Sequence, residues 1–338
     1  MTTLARATRL RYVAGQSHDR KVTWLELFFD LVFVAAVAQV ASPLREDYSA
    51  AGLLRFVILF VLIWWAWIGH AVFSTRFDSD DAVQRGLTLL QMFGVIVMAA
   101  NAGDALDSRS SAGFAAAYAI QRFVLVFQYY RARHLPEARS LTTWYLAGHG
   151  CAAALWLLSA FVPAPERYWI WGVAFALDLG TPWFALDHSV AVPPDAGHLP
   201  ERFGLFTLIL LGECVIAVMH GVEHQEYWSA PAASSAVTAL GIVFLVWWWY
   251  FDAAWATAAR PVRSRRDALL LHAWSYAHLP LYIGIVVAFA GIQLVVSVVP
   301  KPSLDLPQFG ILAAALAVTM SSLAIVSFMR NASAESVG

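Results

Sequence analysis

Three carboxylic acids and one arginine lie inside long apolar stretches of the sequence: Asp30, Asp178, Glu213 and Arg122. At a rise of about 1.5 Å per residue, each falls near the middle of a membrane-length helix. A charged side chain at that depth costs at least about 2.5 kcal/mol, so each should face the protein interior and have a partner. Arg122 can pair with one or two of the acids, bidentately at best. One interpretation is therefore an ion-pair network that fixes helix packing.

Arg122 is the one fixed cation that the sequence places at this depth. Glu213 is therefore the acid expected to remain without an ion-pair partner. Desolvation keeps a carboxylic acid without a cation protonated near neutral pH. A protonated acid in a dry pocket can donate a proton to a substrate. Glu213 is therefore the best candidate for a general acid.

Glu26 and Asp30 are four residues apart, so they share one face of a helix. Like charges this close disfavour double ionisation, and the two acids should share a proton if neither has a cation. In the alternative, Glu26 lies only about 7.5 Å from Lys21, reaches the membrane interface and stays solvated. The sequence leaves both interpretations open.

Three aspartates, Asp78, Asp80 and Asp81, form a D-x-D-D cluster at a helix end. Clusters of this form supply the acid in one class of terpene cyclase, and carboxylate oxygens also suit Mg²⁺. Arg76 and Arg85 are near and could neutralise the cluster, which would make it an ordinary solvated helix end. Apart from Mg²⁺ at this cluster, no cofactor is predicted.

Asp252 and His278 are two further candidate site residues. Asp252 follows the aromatic run Trp247–Tyr250, and Trp248 shares its helix face. Such rings could form an interfacial belt or line a pocket for a cationic or carbocationic species. His278 precedes Pro280 by two residues, and proline frees a backbone carbonyl and bends a helix. His278 could thus be a structurally satisfied histidine or a proton relay.

Ten apolar segments must position these residues, and each is about as long as a helix that crosses a bilayer. The chain is 60% hydrophobic and 13% charged, about half the charged share of soluble proteins. The segments lie at about 24–41, 51–73, 86–103, 112–132, 141–162, 168–187, 203–220, 232–256, 272–299 and 308–329. We predict an all-α integral membrane helical bundle of about ten transmembrane helices. A single transmembrane domain, 23–330, would lie between cytoplasmic tails at 1–22 and 331–338.

The loops differ in their content of lysine and arginine. Sixteen of these residues fall on the side of the N-terminus and five on the opposite side. Cytoplasmic loops carry the excess of positive charge, so both termini are predicted to be cytoplasmic in a multi-pass protein of the cell membrane. An even number of helices agrees with this orientation.

A weak internal repeat links the two ends of the sequence. Glu26–Asp30 in the first segment resembles Glu201–Leu205 in the seventh, and Trp64–Trp67 in the second resembles Trp247–Tyr250 in the eighth. A shift of six helices preserves direction, so segments 1–4 and 7–10 would form parallel repeats. Repeats of this kind are common in transporters.

Several functional classes are disfavoured by composition. A net charge of −1 argues against a nucleic-acid partner. The two cysteines, Cys151 and Cys214, give neither a disulfide framework nor metal-binding spacing. The sequence has no glycine-rich phosphate loop, which argues against ATP-driven transport by this chain. The expected partners are membrane lipid and a small hydrophobic or ionic substrate.

Three stretches carry a family resemblance: Val22–Val34, Arg76–Asp81 and Glu201–Glu213. With Trp247–Asp252 and His278, they resemble the bacterial low temperature requirement A family, over about residues 22 to 295. The resemblance implies a multi-helix membrane protein, while the family name records a growth phenotype and implies no particular activity. The pattern positions that it points to are Glu26, Asp30, Asp78, Asp80, Asp81, Glu201, Arg202, Glu213, Asp252 and His278.

Two functional hypotheses use these residues differently. In the first, a cofactor-free membrane-embedded enzyme, similar to a terpene cyclase, cyclises or isomerises an isoprenoid substrate. Glu213 or the Glu26/Asp30 pair would be its general acid, and tryptophan and tyrosine faces would stabilise developing positive charge. In the second, a proton-coupled transporter or ion-conducting protein uses the same acids as relays, with Arg122 as a counter-charge. The enzyme is preferred narrowly, because the argument for a protonated acid is the more direct one.

Overall fold

The computed structural model describes residues 7–11, 22–223, 230–254, 262–298 and 304–334. Within these ranges the chain is almost entirely helical, with ten helices of 19 to 34 residues and one of four residues. The helices are α1 (Trp24–Glu46), α2 (Ala50–Arg76), α3 (Ala82–Ala102), α4 (Ser111–Ala132), α5 (Arg139–Ser159), α6 (Glu166–Phe184), α7 (Leu186–Ser189), α8 (His198–Glu223), α9 (Ala230–Trp249), α10 (Arg265–Val298) and α11 (Leu306–Ala334). A π-helical turn, Tyr250–Ala254, continues α9. The all-α prediction is confirmed.

Each of the ten predicted segments coincides with one long helix, and the short α7 had no counterpart in the sequence analysis. Seven long helices have the length and apolar composition needed to cross a membrane. The other three, α4, α5 and α6, contain the polar residues Arg122, His149 and Asp178, which are all buried. The count of ten membrane crossings therefore stays a prediction.

The predicted tails are described only in part, since residues 1–6, 12–21 and 335–338 lie outside the described ranges. Two short strands, β1 (Arg9–Leu10) and β2 (Phe77–Asp78), pair antiparallel, with Arg9 opposite Asp78. This ladder joins the N-terminal segment to the end of α2. A structured element at residues 9–10 was not expected from the sequence.

Helix starts are encoded by short capping sequences. At α1, the Thr23 amide donates to Glu26 Oε2 at 2.8 Å, and the Glu26 amide donates to Thr23 Oγ1 at 3.3 Å. At α11, the Gln308 amide donates to Asp305 Oδ1 at 2.8 Å, and the Asp305 amide donates to Gln308 Oε1 at 3.0 Å. These reciprocal pairs are capping boxes, which satisfy backbone donors that a helix N-terminus otherwise leaves unpaired. Glu26 therefore stabilises the N-terminus of α1.

The chain divides into two compact units. Unit 1 comprises Met1–Ala36, Leu62–Arg202 and Arg260–Leu271, and unit 2 comprises Val37–Val61, Phe203–Ala259 and His272–Gly338. One part of the core of unit 1 is aromatic and includes Phe73, Phe77, Tyr129 and Tyr145. The predicted single domain at 23–330 and the predicted repeat both stay predictions.

Candidate functional site

An ion pair between Arg202 and Asp30 lies in the interior of unit 1. Arg202 donates from Nε to Asp30 Oδ2 at 3.0 Å and from Nη2 to Oδ1 at 2.5 Å, and both side chains are fully buried. Trp67 Nε1 donates to Asp30 Oδ1 at 2.7 Å, and Arg202 Nη1 donates to Ser74 Oγ at 3.0 Å. Two parallel contacts to one guanidinium make this a bidentate, charge-assisted pair. Asp30 is thus held as a carboxylate by three donors.

Glu26 joins the same cluster one turn earlier in α1. Its Oε1 lies 3.2 Å from Arg11 Nη2, 3.1 Å from His198 Nε2 and 3.7 Å from Arg202 Nη1. The side chain is also buried. The condition for a shared proton is therefore not met, because both acids contact a cation. Glu26 is ion-paired and mostly buried, and is not simply solvated at the membrane interface. The reason is that Arg202, which was assigned to a loop at the interface, reaches both acids.

A cavity of about 450 Å³ in unit 1 borders this cluster. We call it the unit 1 cavity. Its polar lining includes Glu26, His70, Ser74 and Thr88, and its aromatic lining includes Trp24 and Phe73. His70 is buried, and within the described ranges its Nδ1 has no hydrogen-bond partner. The cavity thus places an acid, a histidine and a hydroxyl group where a small polar solute or a proton could reach them.

The aspartates of the D-x-D-D cluster do not converge. Asp78 and Asp80 line the unit 1 cavity, and Asp80 pairs with Arg85 at 2.8 Å. Asp81 caps α3 and lies 2.5 Å from Arg131 Nη2. Among the described residues, no group of three His, Cys, Asp or Glu side chains could hold a metal ion. The predicted Mg²⁺ site therefore has no ligand set in the part of the chain that the structure describes.

A second ionic cluster in unit 1 joins α4, α5 and α6. Asp178 Oδ2 lies 2.8 Å from Arg122 Nε, and Oδ1 lies 2.5 Å from His149 Nδ1. Tyr118 donates to Asp178 Oδ2 at 3.2 Å and accepts from Arg122 Nη2 at 2.8 Å. All four side chains are buried. The expected pairing of Arg122 with a buried acid is confirmed, whereas the contribution of His149 was missed.

Glu213 lies in unit 2 and is half-buried. It lines a cavity of about 40 Å³ together with Arg45, Leu210 and Phe289. A space of this size holds a few water molecules at most. Arg45 is a second charged group at this cavity, and the role of Glu213 as a general acid stays a prediction. An isoprenoid chain does not fit beside it in this structure.

His278 and Asp252, also in unit 2, have different surroundings. His278 Nδ1 lies 2.9 Å from the Trp274 carbonyl oxygen, and Nε2 lies 3.0 Å from the Tyr250 hydroxyl. Because a carbonyl only accepts, Nδ1 carries the hydrogen and Nε2 accepts from tyrosine. Both nitrogens are satisfied, as in a structural histidine. Asp252 is exposed and accepts from Trp248 Nε1, which fits the aromatic belt better than a closed pocket.

Besides His149, three residues around Glu26 and Asp30 were missed by the sequence reasoning. Arg202 had a signal, since the family resemblance points to it, but counting loop charges placed it at the interface. His70 and His198 had no motif of their own. Their partners come from other helices, so local spacing could not single them out.

The long apolar helices and the buried ionic clusters define a polytopic membrane protein. The chain belongs to the bacterial low temperature requirement A family, whose sequence profile matches residues 21–337. The resemblance drawn from the motifs is thus confirmed. The chain is also similar to an uncharacterized protein of Rhizobium meliloti (strain 1021), with 28% identity over 285 residues, 80% of this chain and 68% of that protein. No solved structure matches the chain.

Proposed function

We propose that the protein moves protons across the membrane, as a proton-coupled transporter or an ion-conducting protein, with the unit 1 cavity as the exchange site. The supporting observation is the pair of His198 and Glu26 at 3.1 Å, beside a cavity that His70 also lines. Histidine is the side chain that changes charge near neutral pH. Ionisable groups inside a membrane protein commonly mark proton or ion pathways.

The cluster around Glu26 contains a permanent ion pair, Arg202 with Asp30, and a histidine, His198. Arg202 cannot lose its proton in a protein, and Asp30 is held by three donors, so this pair keeps its charge. His198 Nε2 lies 3.1 Å from Glu26 Oε1, so a histidine and an acid are in direct contact beside the fixed pair. In this proposal a proton from the cavity binds at His198, and the fixed pair keeps the helices in place as it does so.

A terpene cyclase-like enzyme is the second candidate, and one observation favours it. Asp78 and Asp80 line the same cavity as the aromatic rings of Trp24 and Phe73. The cavity volume of about 450 Å³ is within the range of small-molecule sites. We place this candidate second because Glu26 and Asp80 both contact arginines. Such contacts favour the carboxylate over the protonated acid that begins cyclisation.

Proton flux into liposomes that contain the purified full chain tests the proposal. A pH gradient is imposed, the membrane potential is clamped, and the interior pH is followed with a trapped dye. Gradients of Na⁺ and of phosphate are added in turn as probe solutes. We expect flux above that of empty liposomes, and its loss in His198→Gln and Glu26→Gln.

His134→Gln is the matched control, because His134 is exposed and its Nδ1 lies 2.8 Å from the backbone carbonyl oxygen of Arg131. It should retain the flux of the wild type. Absence of flux from folded wild-type protein with every gradient would refute the proposal, as would full flux in His198→Gln. Turnover of an isoprenoid substrate that Asp80→Asn abolishes would instead support the second candidate.

A further inference from the structure

We propose that a hydrated polar path runs inside unit 1 from the cavity to the cluster of Arg122, Asp178 and His149. This path would make His149 and Asp178 a second proton-binding site. The hydrated path itself rests on geometry alone. Its role in proton movement rests on the proposed function.

The path begins on one face of α3. Gln84 and Thr88 line the unit 1 cavity, and Gln91 follows at helical spacing on the same face. All three side chains are buried. His70, on α2, lines the same cavity as Gln84 and Thr88. A buried polar stripe of this kind leads away from the cavity into the interior of the unit.

The stripe continues onto α4 through two glutamines. Gln121 Nε2 donates to the Gln91 carbonyl oxygen, and Gln128 Nε2 donates to Gln91 Oε1 at 3.3 Å. The Oε1 atoms of Gln121 and Gln128 have no hydrogen-bond partner among the described residues, although both side chains are buried. If the oxygen and nitrogen positions of either side-chain amide were exchanged, one atom of that amide would still lack a hydrogen bond. Each glutamine therefore presents one polar atom that needs a partner.

The path reaches the second ionic cluster through Arg122, the neighbour of Gln121. A Cβ placed on Gly69 would lie 3.0 Å from Arg122 Nη1, so the guanidinium packs against α2 beside His70. From Arg122, contacts of 2.8 Å lead to Tyr118 and to Asp178, and Asp178 contacts His149. The contacts thus form two sets, one from the cavity to Gln121 and Gln128 and one from Arg122 to His149, and the proposed waters would bridge the gap between them.

Water is the partner that this set of atoms requires. A buried polar atom without a hydrogen bond is destabilising, and His70 Nδ1 shares this state with the two glutamine oxygens. Buried waters usually make about three hydrogen bonds to otherwise unsatisfied groups. A proton that arrives by such waters would meet His149, whose charged and titratable neighbours are Asp178, Tyr129 and Tyr145, with Arg122 and Tyr118 on the far side of Asp178.

Hydroxyl-radical footprinting of the full chain in lipid nanodiscs tests the path, because radicals formed from bound water label adjacent side chains. We expect labelling of His70 and His149 although both are buried. His278 is the matched control, since it is buried in unit 2 and both its nitrogens are bonded within the protein. Protection of His149 equal to that of His278 would overturn the proposal.

Gln91→Leu removes the polar link and should reduce labelling of His149 to the level of His278 while His70 stays labelled. Met98→Leu, a buried volume-conserving change on the same helix, should leave His149 labelled. If Gln91→Leu does not fold, the wild-type comparison of His149 with His278 still decides.

Proton flux separates this proposal from the proposed function. Labelled His149 without wild-type flux would keep the hydrated path and refute proton translocation. Wild-type flux with a protected His149 would keep translocation and refute the path. If His149 is labelled and the wild type also shows flux, His149→Gln should lose the flux and His134→Gln should keep it.

Discussion

Arg202 and Asp30 are separated by 172 residues in the chain and form a bidentate ion pair in which neither side chain is exposed. The pair joins the first turns of α8 to the second turn of α1. A single unpaired charge in the interior of a membrane protein has a high free-energy cost, so Arg202 and Asp30 are stable there only as a pair. This long-range contact between buried charges therefore holds the N-terminal turns of α1 and α8 together within unit 1.

Asp30→Asn should destabilise the protein strongly. The change leaves the Arg202 guanidinium buried without its bidentate carboxylate, and removing one partner of a buried pair costs about 3–5 kcal/mol. Arg202→Met should cost a similar amount. The double variant should lose less than the sum of the two, because neither charge is then left without its partner. Unfolding of the purified variants in mixed micelles, followed by circular dichroism, measures the free energies.

Arg265 and Asp187 provide the matched control, since they form an ion pair at 2.8 Å with about two-thirds of each side chain exposed. Exposed pairs contribute about 0–1 kcal/mol, so Asp187→Asn should have little effect on the free energy of unfolding. Equal losses in Asp30→Asn and Asp187→Asn would contradict a special role for the buried pair.

The helices could be predicted from the sequence because each is encoded locally. A run of about twenty apolar residues is sufficient to predict a helix, and all ten long helices coincide with such runs. The capping boxes at Thr23 and Asp305 are equally local and could have been used to set boundaries. The extent of α8 shows the limit, since it begins at His198, five residues before the apolar run does.

The ionic clusters could be predicted only in part, because their partners come from different helices. Arg122 and Asp178 were both recognised as buried, and their pairing follows from the scarcity of charges nearby. Arg202 was counted with the loop residues, since hydropathy gives the depth of a residue and not the direction of its side chain. Glu213 shows the converse, because its depth suggested a site without a cation, whereas Arg45 on another helix lines the same cavity.

Glu26→Gln should separate two roles of this side chain. Glutamine at the third helical position still completes a capping box with Thr23, so α1 should begin at the same residue. The ion pairs to Arg11, His198 and Arg202 lose their charge, which should lower the free energy of unfolding by about 1–3 kcal/mol. Hydrogen exchange at the first amides of α1 measures the first effect, and micelle unfolding measures the second.

Thr23→Ala gives the reverse pattern, with a loss of about 1 kcal/mol from the missing cap and ion pairs kept. Exchange at the start of α1 should then become faster. Faster exchange in Glu26→Gln than in Thr23→Ala would contradict this division of roles.

Both termini should lie in the cytoplasm, because sixteen lysines and arginines fall on the N-terminal side and five on the other. Green fluorescent protein fused after Gly338 should fluoresce, and alkaline phosphatase at the same position should be inactive. Fusions placed in the loop between α1 and α2 should behave in the opposite way. Active phosphatase at the C-terminus would show that the orientation is reversed or that the number of crossings is odd.

Gly148→Ala should disrupt the contact between α5 and α6 next to the second ionic cluster. A Cβ at this position would overlap the Thr181 side chain, with Oγ1 and Cγ2 as the nearest atoms. Overpacking of this kind costs about 1–3 kcal/mol, and adding Thr181→Ala should restore part of the loss because it removes both atoms. Gly150→Ala is the control on the same helix, since nothing lies within 4 Å of the new Cβ. That control should be neutral or gain up to about 1 kcal/mol from helix propensity, and equal effects of the two glycine substitutions would contradict the packing of α5 against α6.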